Sequence, residues 1–182
     1  MTSSKKDSQP VSGVIWITGL SGSGKTSLAT NLCSKYLENG TAVIHLDGDE
    51  LRTVLGVDGG YESASRLSIG KIYARLARML ATQGNVVVVS TIALFNEIHS
   101  YNKQFDNYCE IYLESNQKLL AEKDQKSVYE KNYLRNKNVV GVDIKPQFPK
   151  SPHRLIPGSP ISLGEIDLDE LYLFTLHILK QN

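Results

Sequence analysis

Short apolar runs alternate with longer stretches of mixed polarity along most of the chain. The runs are rich in β-branched and aromatic residues, which is typical of β-strands. The third run is apolar almost throughout, as expected of a central parallel strand that is covered on both faces. We therefore predict four strands, at residues 14–18 (VIWIT), 42–47 (AVIHLD), 85–91 (NVVVVST) and 109–115 (CEIYLES).

Between these runs, apolar residues recur at intervals of three and four, the spacing of one helical face. One helix is expected to begin at Lys25 and to end at Gly40, since glycine commonly ends a helix. The segment from Asp167, with Glu170 three residues later, has the pattern of a capping box. Further helices are predicted at residues 62–84, at 94–105 and from 117 onward. The predicted inward residues are Leu67, Ile72, Leu76, Met79 and Leu80 in helix 62–84, and Leu168, Leu171, Ile178 and Leu179 in the last helix.

This alternation of strands and helices predicts an α/β fold, a three-layer sandwich with a parallel sheet between two layers of helices. Residues 1–12 are mostly polar and are predicted to be a disordered leader, followed by a single domain at residues 13–182. Five of the six prolines fall within residues 139–164, which are therefore expected to be mostly loop.

The charge balance argues against some classes of partner. The chain has 182 residues, with 20 Lys and Arg against 19 Asp and Glu, so its net charge is +1. This balance gives no support to a nucleic-acid or membrane-surface partner. No apolar run approaches the ~20 residues of a membrane span, and the polar start lacks the apolar core of a secretory signal. Cys33 and Cys109 are isolated, so we expect a cytoplasmic protein with two small, buried thiols.

Phosphate-binding chemistry is indicated by the segment WITGLSGSGKTSLA, residues 16–29. It contains the complete G-x-x-x-x-G-K-T motif between a predicted strand and a predicted helix, the context that the motif requires. Its glycines let backbone N–H groups face phosphate oxygens, Lys25 is placed to reach the β- and γ-phosphates, and the Thr26 hydroxyl is placed to bind Mg²⁺. The sequence therefore predicts binding of ATP and Mg²⁺. The predicted ATP-binding residues are Gly19, Leu20, Ser21, Gly22, Ser23, Gly24, Lys25, Thr26 and Ser27.

A second informative segment, HLDGDELR, spans residues 45–52 at the carboxyl end of the second strand, where ligands bind in open α/β sheets. Asp47, Asp49 and Arg52 would flank the γ-phosphate there. The alternative interpretation is structural: the two aspartates form a turn, and Asp49 caps the helix that follows. A switch-type GTPase is not favoured, since neither NKQF nor NKNV supplies the aspartate of a guanine-reading motif.

Together these segments resemble the adenylyl-sulfate kinase family. The resemblance rests on GLSGSGKT, on LDGDELR, and on GY four residues before SR; it continues through GNVVVVS, EIYLES and KDQKSVY. It covers roughly residues 14–152, and the first two motifs are specific as a pair. The family has a parallel P-loop kinase sheet with a lid segment, and it uses MgATP to phosphorylate the ribose 3′-hydroxyl of adenylyl sulfate.

The resemblance implies roles for individual residues. Asp49 matches the candidate base for the 3′-hydroxyl and, with Lys25, is expected to be catalytic. Asp47 matches the carboxylate near Mg²⁺, so that Thr26 and Asp47 form the expected metal site. For Arg66 and Lys137 a solvated helix charge is an equally good interpretation. The residues expected to bind the acceptor are Asp49, Arg52, Tyr61, Arg66, Ile92, Lys126 and Lys137.

The chain departs from the family pattern on the acceptor side. Ile69 stands where the family has Asn, and Gln147 stands where it has Glu. Residues 139–141 (VVG) replace the family's Phe-Thr-Gly, and residues 93–95 (ALF) replace its Ser-Pro-aromatic. Such departures are expected where the acceptor has changed, as in cytidine diphosphoramidate kinase, which phosphorylates a cytidine nucleotide.

The sequence thus predicts a kinase that phosphorylates the ribose 3′-hydroxyl of a nucleotide conjugate. Adenylyl sulfate is the first expected acceptor, and a cytidine conjugate is the alternative. A small-metabolite kinase of the gluconate or shikimate type and a non-catalytic nucleotide sensor remain further alternatives. No nucleic-acid or membrane partner is expected, and a homodimer is left open.

Overall fold

The computed structural model of the chain describes residues 11–57, 62–115, 140–141, 143–157 and 166–181. Within these residues, strands and helices alternate and confirm the predicted α/β architecture. The elements in chain order are β1 (Gly13–Gly19), α1 (Lys25–Glu38), β2 (Val43–Asp47), α2 (Gly48–Val54), α3 (Ser63–Ala81), β3 (Val86–Thr91), α4 (Asn96–Asn102), β4 (Tyr108–Leu113), β5 (Arg154–Ile156) and α5 (Leu168–Leu179).

The described strands form one parallel sheet in the order β2-β3-β1-β4-β5. In the register, Thr18 of β1 lies opposite Thr91 of β3, and Asp47 of β2 lies opposite Ser90. The carboxyl ends of β1, β2 and β3 therefore meet at one edge of the sheet. All three predicted functional segments, after β1, after β2 and after β3, start from this edge.

Helices cover both faces of the sheet, which makes the three predicted layers. On one face, the α1 face, buried residues of α1 and α5 such as Leu28, Leu32 and Leu171 pack on Ile15 and Ile17 of β1. On the other, the α3 face, residues of α2, α3 and α4 pack on Trp16, Val87 and Val89. Burial on both faces explains why β1 and β3 are apolar except for Thr18, Ser90 and Thr91 near their carboxyl ends.

The ends of α1 follow from the glycines at both sides. Gly24, at φ 89°, precedes the first residue of the helix. Gly40, at φ 73°, follows its last turn, and the Thr41 N–H donates to the Tyr36 carbonyl at 3.0 Å. This is the left-handed helix end that glycine favours, as predicted.

The buried face of α3 agrees with the prediction in part, since Leu67, Leu76 and Leu80 pack against the cluster of the α3 face. The prediction is wrong for Ile72 and Met79, which are 44% and 51% exposed. The helix turns Ala77 and Ala81 toward the sheet instead, so the size of an apolar side chain does not by itself identify the buried face.

The described part of residues 139–164, which was expected to be mostly loop, contains one short strand, β5. β5 pairs with β4, with Tyr112 opposite Leu155. β5 is only three residues long and includes a charged residue, Arg154. The guanidinium of Arg154 donates to a carboxylate oxygen of Glu170 at 2.7 Å. Most of the predicted leader (residues 1–10) and the helix predicted from 117 lie outside the described residues.

The cysteines behave as predicted. Cys33 and Cys109 are both buried and unpaired. Burial raises the pKa of Cys33 to about 11 and that of Cys109, mainly through the same effect, to about 12, so neither thiol is a reactive thiolate at neutral pH. In the part of the chain that the structure describes, no helix has the length and apolar composition needed to cross a bilayer.

Tyr36 joins the two helices of the α1 face, which gives a test of this packing. Its hydroxyl lies 2.9 Å from Thr175 Oγ1 in the fully buried contact between α1 and α5. We expect Tyr36→Phe to lower the free energy of unfolding by about 0.5–1.5 kcal/mol, because one buried hydrogen bond is lost. Urea unfolding measures the change, with Tyr101→Phe at a partly buried tyrosine as control. Equal effects of the two substitutions would contradict the account.

Candidate active site

The phosphate loop, residues 19–26, connects β1 to α1 through backbone conformations that need glycine. Gly22 and Gly24 have φ values of 76° and 89°. At Gly19 the constraint is space, since a Cβ there would lie 2.7 Å from the Leu113 carbonyl oxygen and 2.8 Å from Ser23 Oγ. The loop therefore turns tightly over the end of β1, and its N–H groups lead into the amino end of α1, a geometry suited to phosphate.

Lys25 lies across this loop. Its side chain is largely buried, and its ammonium donates to the Leu20 carbonyl at 2.6 Å and lies 3.5 Å from Ser23 Oγ. The positive charge is thus held over the loop rather than in solvent. Thr26 and Ser27 follow on the exposed first turn of α1, while the Leu20 side chain is buried against Leu94.

Asp47, the last residue of β2, is the most connected side chain of the site. One carboxylate oxygen accepts from Thr26 Oγ1 at 2.8 Å and from Ser90 Oγ at 2.7 Å. The other accepts from the backbone N–H groups of residues 49 and 50, at 2.9 and 3.4 Å. Burial tends to raise the pKa of Asp47, but these hydrogen bonds outweigh it and hold the pKa below its usual value, so the carboxylate is charged.

Asp47, and not Asp49, caps α2, which corrects the structural interpretation of this segment. The backbone contacts of its carboxylate are those of an N-cap. Asp49 lies in the first turn of α2 with its side chain exposed. The two carboxylates therefore have different surroundings: Asp47 faces the phosphate loop, and Asp49 faces outward from the same edge of the sheet.

Sequence reasoning missed two residues that support Asp47. Ser90, at the end of β3, donates to its carboxylate, and His45 Nε2 lies 2.9 Å from the Ser90 hydroxyl. Since the Ser90 proton points to Asp47, the Ser90 oxygen accepts from the His45 ring. Burial lowers the pKa of His45 despite the nearby carboxylates, which agrees with a neutral ring. The available signal was the position of Ser90 near the carboxyl end of β3; His45 is the middle residue of β2.

Tyr73 of α3 was missed as well. Its buried hydroxyl donates to the Gly48 carbonyl at 3.0 Å and so holds the first turn of α2 from the α3 face. Burial raises the pKa of Tyr73 to about 12, with Arg52 opposing the shift. Gly48 has no room for a side chain, because a Cβ would lie 2.8 Å from Thr91 Oγ1. The turn that presents Asp49 and Arg52 is thus fixed from two sides.

The remaining predicted acceptor residues are only partly described. Arg66 lies in the first turn of α3, and Ile92 follows β3; both are half-buried. Tyr61, Lys126 and Lys137 lie outside the described residues. Ile69, where the family has Asn, is 6% exposed and lies in the cluster of the α3 face, so it packs in the core.

The residues at the loop fit a magnesium ion that is shared with nucleotide phosphates. Thr26 donates its proton to Asp47, which leaves the oxygen lone pairs of Thr26 for a cation. Among the residues that the structure describes, no group of three His, Cys, Asp or Glu side chains could hold a metal alone. Mg²⁺ typically binds through few protein groups together with substrate phosphates, and Thr26 with Asp47 supplies such groups.

Comparison with known proteins finds relatives among nucleotide kinases. The family model for adenylylsulphate kinase matches residues 11–156. Cytidine diphosphoramidate kinase of Campylobacter jejuni is 44% identical over 140 residues, 76% of this chain and 82% of that protein. Adenylyl-sulfate kinase of Bacillus pumilus is 29% identical over 160 residues, 85% and 80% of the two chains. The structure of the Mycobacterium tuberculosis APS kinase in complex with AMPPNP and APS is 28% identical with a TM-score of 0.79, and covers 93% of this chain and 98% of its own.

The Asp47 contacts give a stability prediction. Asn keeps the helix cap but replaces one carboxylate oxygen by an N–H₂ group, which cannot accept from Thr26 and Ser90. We expect Asp47→Asn to lower the free energy of unfolding by about 1–3 kcal/mol.

The matched control is Asp167→Asn. Asp167 caps α5 through the N–H groups of residues 169 and 170, both at 3.0 Å, and at an exposed position. Asn and Asp are equivalent as caps, so we expect a change below about 0.5 kcal/mol. Urea unfolding of both variants measures the difference, and a loss at Asp167 as large as at Asp47 would refute the assignment.

Proposed function

This chain belongs to the adenylylsulphate kinase family, and from that membership we propose that it transfers the γ-phosphoryl group of ATP to the ribose 3′-hydroxyl of a nucleotide conjugate. The family membership makes it a nucleotide kinase. Beyond this membership, we propose which hydroxyl is phosphorylated, which acceptor carries it and what role each residue has.

One observation carries this proposal: Asp47 connects the phosphate loop to the turn that bears Asp49. The Thr26 hydroxyl and the Asp49 N–H bind the two oxygens of the same carboxylate, at 2.8 and 2.9 Å. Phosphoryl transfer depends mainly on positioning and on neutralising charge. Because the Asp47 carboxylate contacts both, it fixes the distance between the phosphate loop, which would bind ATP, and the turn with Asp49, which would bind the acceptor.

Each residue of the site is assigned one part of the reaction. The loop N–H groups and Lys25 bind the triphosphate, and Thr26 with Asp47 would hold the magnesium ion, which supplies charge neutralisation on the phosphates. Asp49 orients the acceptor hydroxyl and takes its proton as the oxygen bonds to the γ-phosphorus and the bond to ADP breaks. Arg52, half-buried in α2, and Arg66 in α3 bind the anionic part of the acceptor.

A cytidine conjugate, cytidine diphosphoramidate, is the acceptor that we favour over adenylyl sulfate. The identity to the Campylobacter jejuni kinase is 44%, against 29% to the Bacillus pumilus adenylyl-sulfate kinase. Ile69 in the core offers no hydrogen bond. The aromatic residue of the family's Phe-Thr-Gly is Val139 here, which lies outside the described residues, so the sequence lacks a hydrogen-bonding group and a stacking face for a purine at these two positions. Adenylyl sulfate is the second candidate, supported by the family match and by the Mycobacterium tuberculosis complex.

The other sequence predictions enter the proposal unchanged. They include acceptor contacts at Tyr61, Ile92, Lys126 and Lys137, a single domain after a leader, and a cytoplasmic location, and a homodimer stays open.

Coupled ADP release across a panel of acceptors tests the proposal. The panel contains cytidine diphosphoramidate, adenylyl sulfate, gluconate and shikimate, with the Lys25→Ala protein as the inactive reference. We expect the highest kcat/KM for cytidine diphosphoramidate and a value at least about 10-fold lower for adenylyl sulfate, since lost contacts in a pocket have effects of this size. Turnover of gluconate or shikimate alone, or no ADP release above the acceptor-free rate, would overturn it.

Asp49 gives a more specific prediction. Asp49→Asn keeps the size of the side chain but removes the proton acceptor, so kcat should fall by about 100-fold or more. The matched control is Glu50→Gln, at the next carboxylate of the same exposed turn, which should stay within about two-fold of wild type. Steady-state kinetics with the best acceptor measure both. An undiminished kcat in Asp49→Asn would exclude Asp49 as the base.

A further inference from the structure

The segment that follows β3, residues 92–96, is here called the acceptor wall. It has no helix or strand before α4 begins at Asn96. It starts at the carboxyl edge of the sheet, beside the turn that carries Asp49. Ile92 and Leu94 pack with Leu20 of the phosphate loop and with Val140. A segment without regular structure in this position needs contacts from elsewhere to hold its shape.

Gln147 supplies these contacts from another part of the chain. Its backbone N–H donates to the Leu94 carbonyl at 3.0 Å. Its side-chain oxygen accepts from the backbone N–H of Asn96 at 2.7 Å, across 51 positions of sequence. Phe95, the N-cap residue of α4, makes no side-chain cap of its own, so Gln147 caps the helix from outside. One residue thereby fixes the acceptor wall and the start of α4 together.

A buried pair holds Gln147 in turn. His99, one turn into α4, places Nε2 3.0 Å from the Gln147 carbonyl oxygen and Nδ1 2.7 Å from a carboxylate oxygen of Glu110. The same Glu110 oxygen accepts from the Tyr108 hydroxyl at 3.1 Å. Glu110 is 0% exposed in the middle of β4, so this chain of contacts connects Gln147 to the central sheet.

We propose that Gln147 and His99, here called the Gln147 clamp, are positioning residues that set the shape of the acceptor wall and thereby the affinity for the acceptor. The inference rests on the proposed function, because it assigns the wall to the acceptor. The side chain of Gln147 binds the wall and α4, while the ATP phosphates are bound by the phosphate loop, whose shape depends on its own glycines and on Asp47. The clamp therefore acts on one substrate more than on the other.

Kinetics of Gln147 variants test the proposal. Gln147→Ala removes the side-chain cap at an exposed position, where the fold is not at risk. We expect the KM for the acceptor to rise about five-fold, the change that results if the free energy of one lost cap is expressed in acceptor binding, with the KM for ATP within two-fold of wild type. Gln147→Glu keeps an oxygen toward the Asn96 N–H and should restore the acceptor KM to within two-fold. Gln104→Ala, an exposed glutamine beyond the end of α4, is the matched control.

A second variant and a measurement without acceptor complete the test. In His99→Gln, the new side chain can contact either the Gln147 carbonyl or the Glu110 carboxylate, but not both. This variant should therefore raise the acceptor KM at least as much as Gln147→Ala. Hydrogen exchange of the Asn96 amide should become faster in Gln147→Ala and not in Gln147→Glu. Equal rises in both KM values, or faster exchange with an unchanged acceptor KM, would overturn the inference. Absence of turnover by the wild-type protein on every nucleotide conjugate would instead overturn the proposed function.

Discussion

The site depends on the charged carboxylate of Asp47 at the end of β2. It accepts four hydrogen bonds, from two hydroxyls and two backbone N–H groups, which come from α1, β3 and α2. Three elements that are distant in sequence are therefore fixed to one pair of oxygens. A neutral side chain could not accept all four, which is why the lowered pKa of Asp47 and the geometry of the site belong together.

The two substrate sides that we propose are held by different contacts. The phosphate loop leads into α1 on one face of the sheet, while α2 and α3 lie on the other. Tyr73 holds the first turn of α2 and Gln147 holds the wall, neither of them through a hydrogen bond to the loop, although the wall also packs on Leu20. In the proposed function, this arrangement would let the acceptor side change while the ATP side is kept. The departures from the family pattern follow this division, since the complete phosphate-loop motif remains and residues 93–95 and 147 differ.

The sequence was sufficient for those features that contiguous residues determine. The phosphate loop and the ends of α1 follow from glycine spacing, and four of the strands follow from β-branched runs. The contacts of Ser90, Tyr73 and Gln147 could not be predicted, because each joins residues 25 or more positions apart and depends on side-chain rotamers. On α3, Ile72 and Met79 were misjudged, because the helix turns the smaller Ala77 and Ala81 inward. Which side of a helix meets the sheet is a tertiary property, and the size of its apolar side chains does not determine it.

In the proposed function, Asp47 serves the magnesium and ATP side and Asp49 the acceptor side. The affinity for a fluorescent ATP analogue, titrated with and without Mg²⁺ in Asp47→Asn and Asp49→Asn, distinguishes the two roles. We expect that Mg²⁺ no longer strengthens binding in Asp47→Asn, while Asp49→Asn keeps the wild-type dependence on Mg²⁺. The opposite pattern, with the effect of Mg²⁺ lost in Asp49→Asn and kept in Asp47→Asn, would refute these roles.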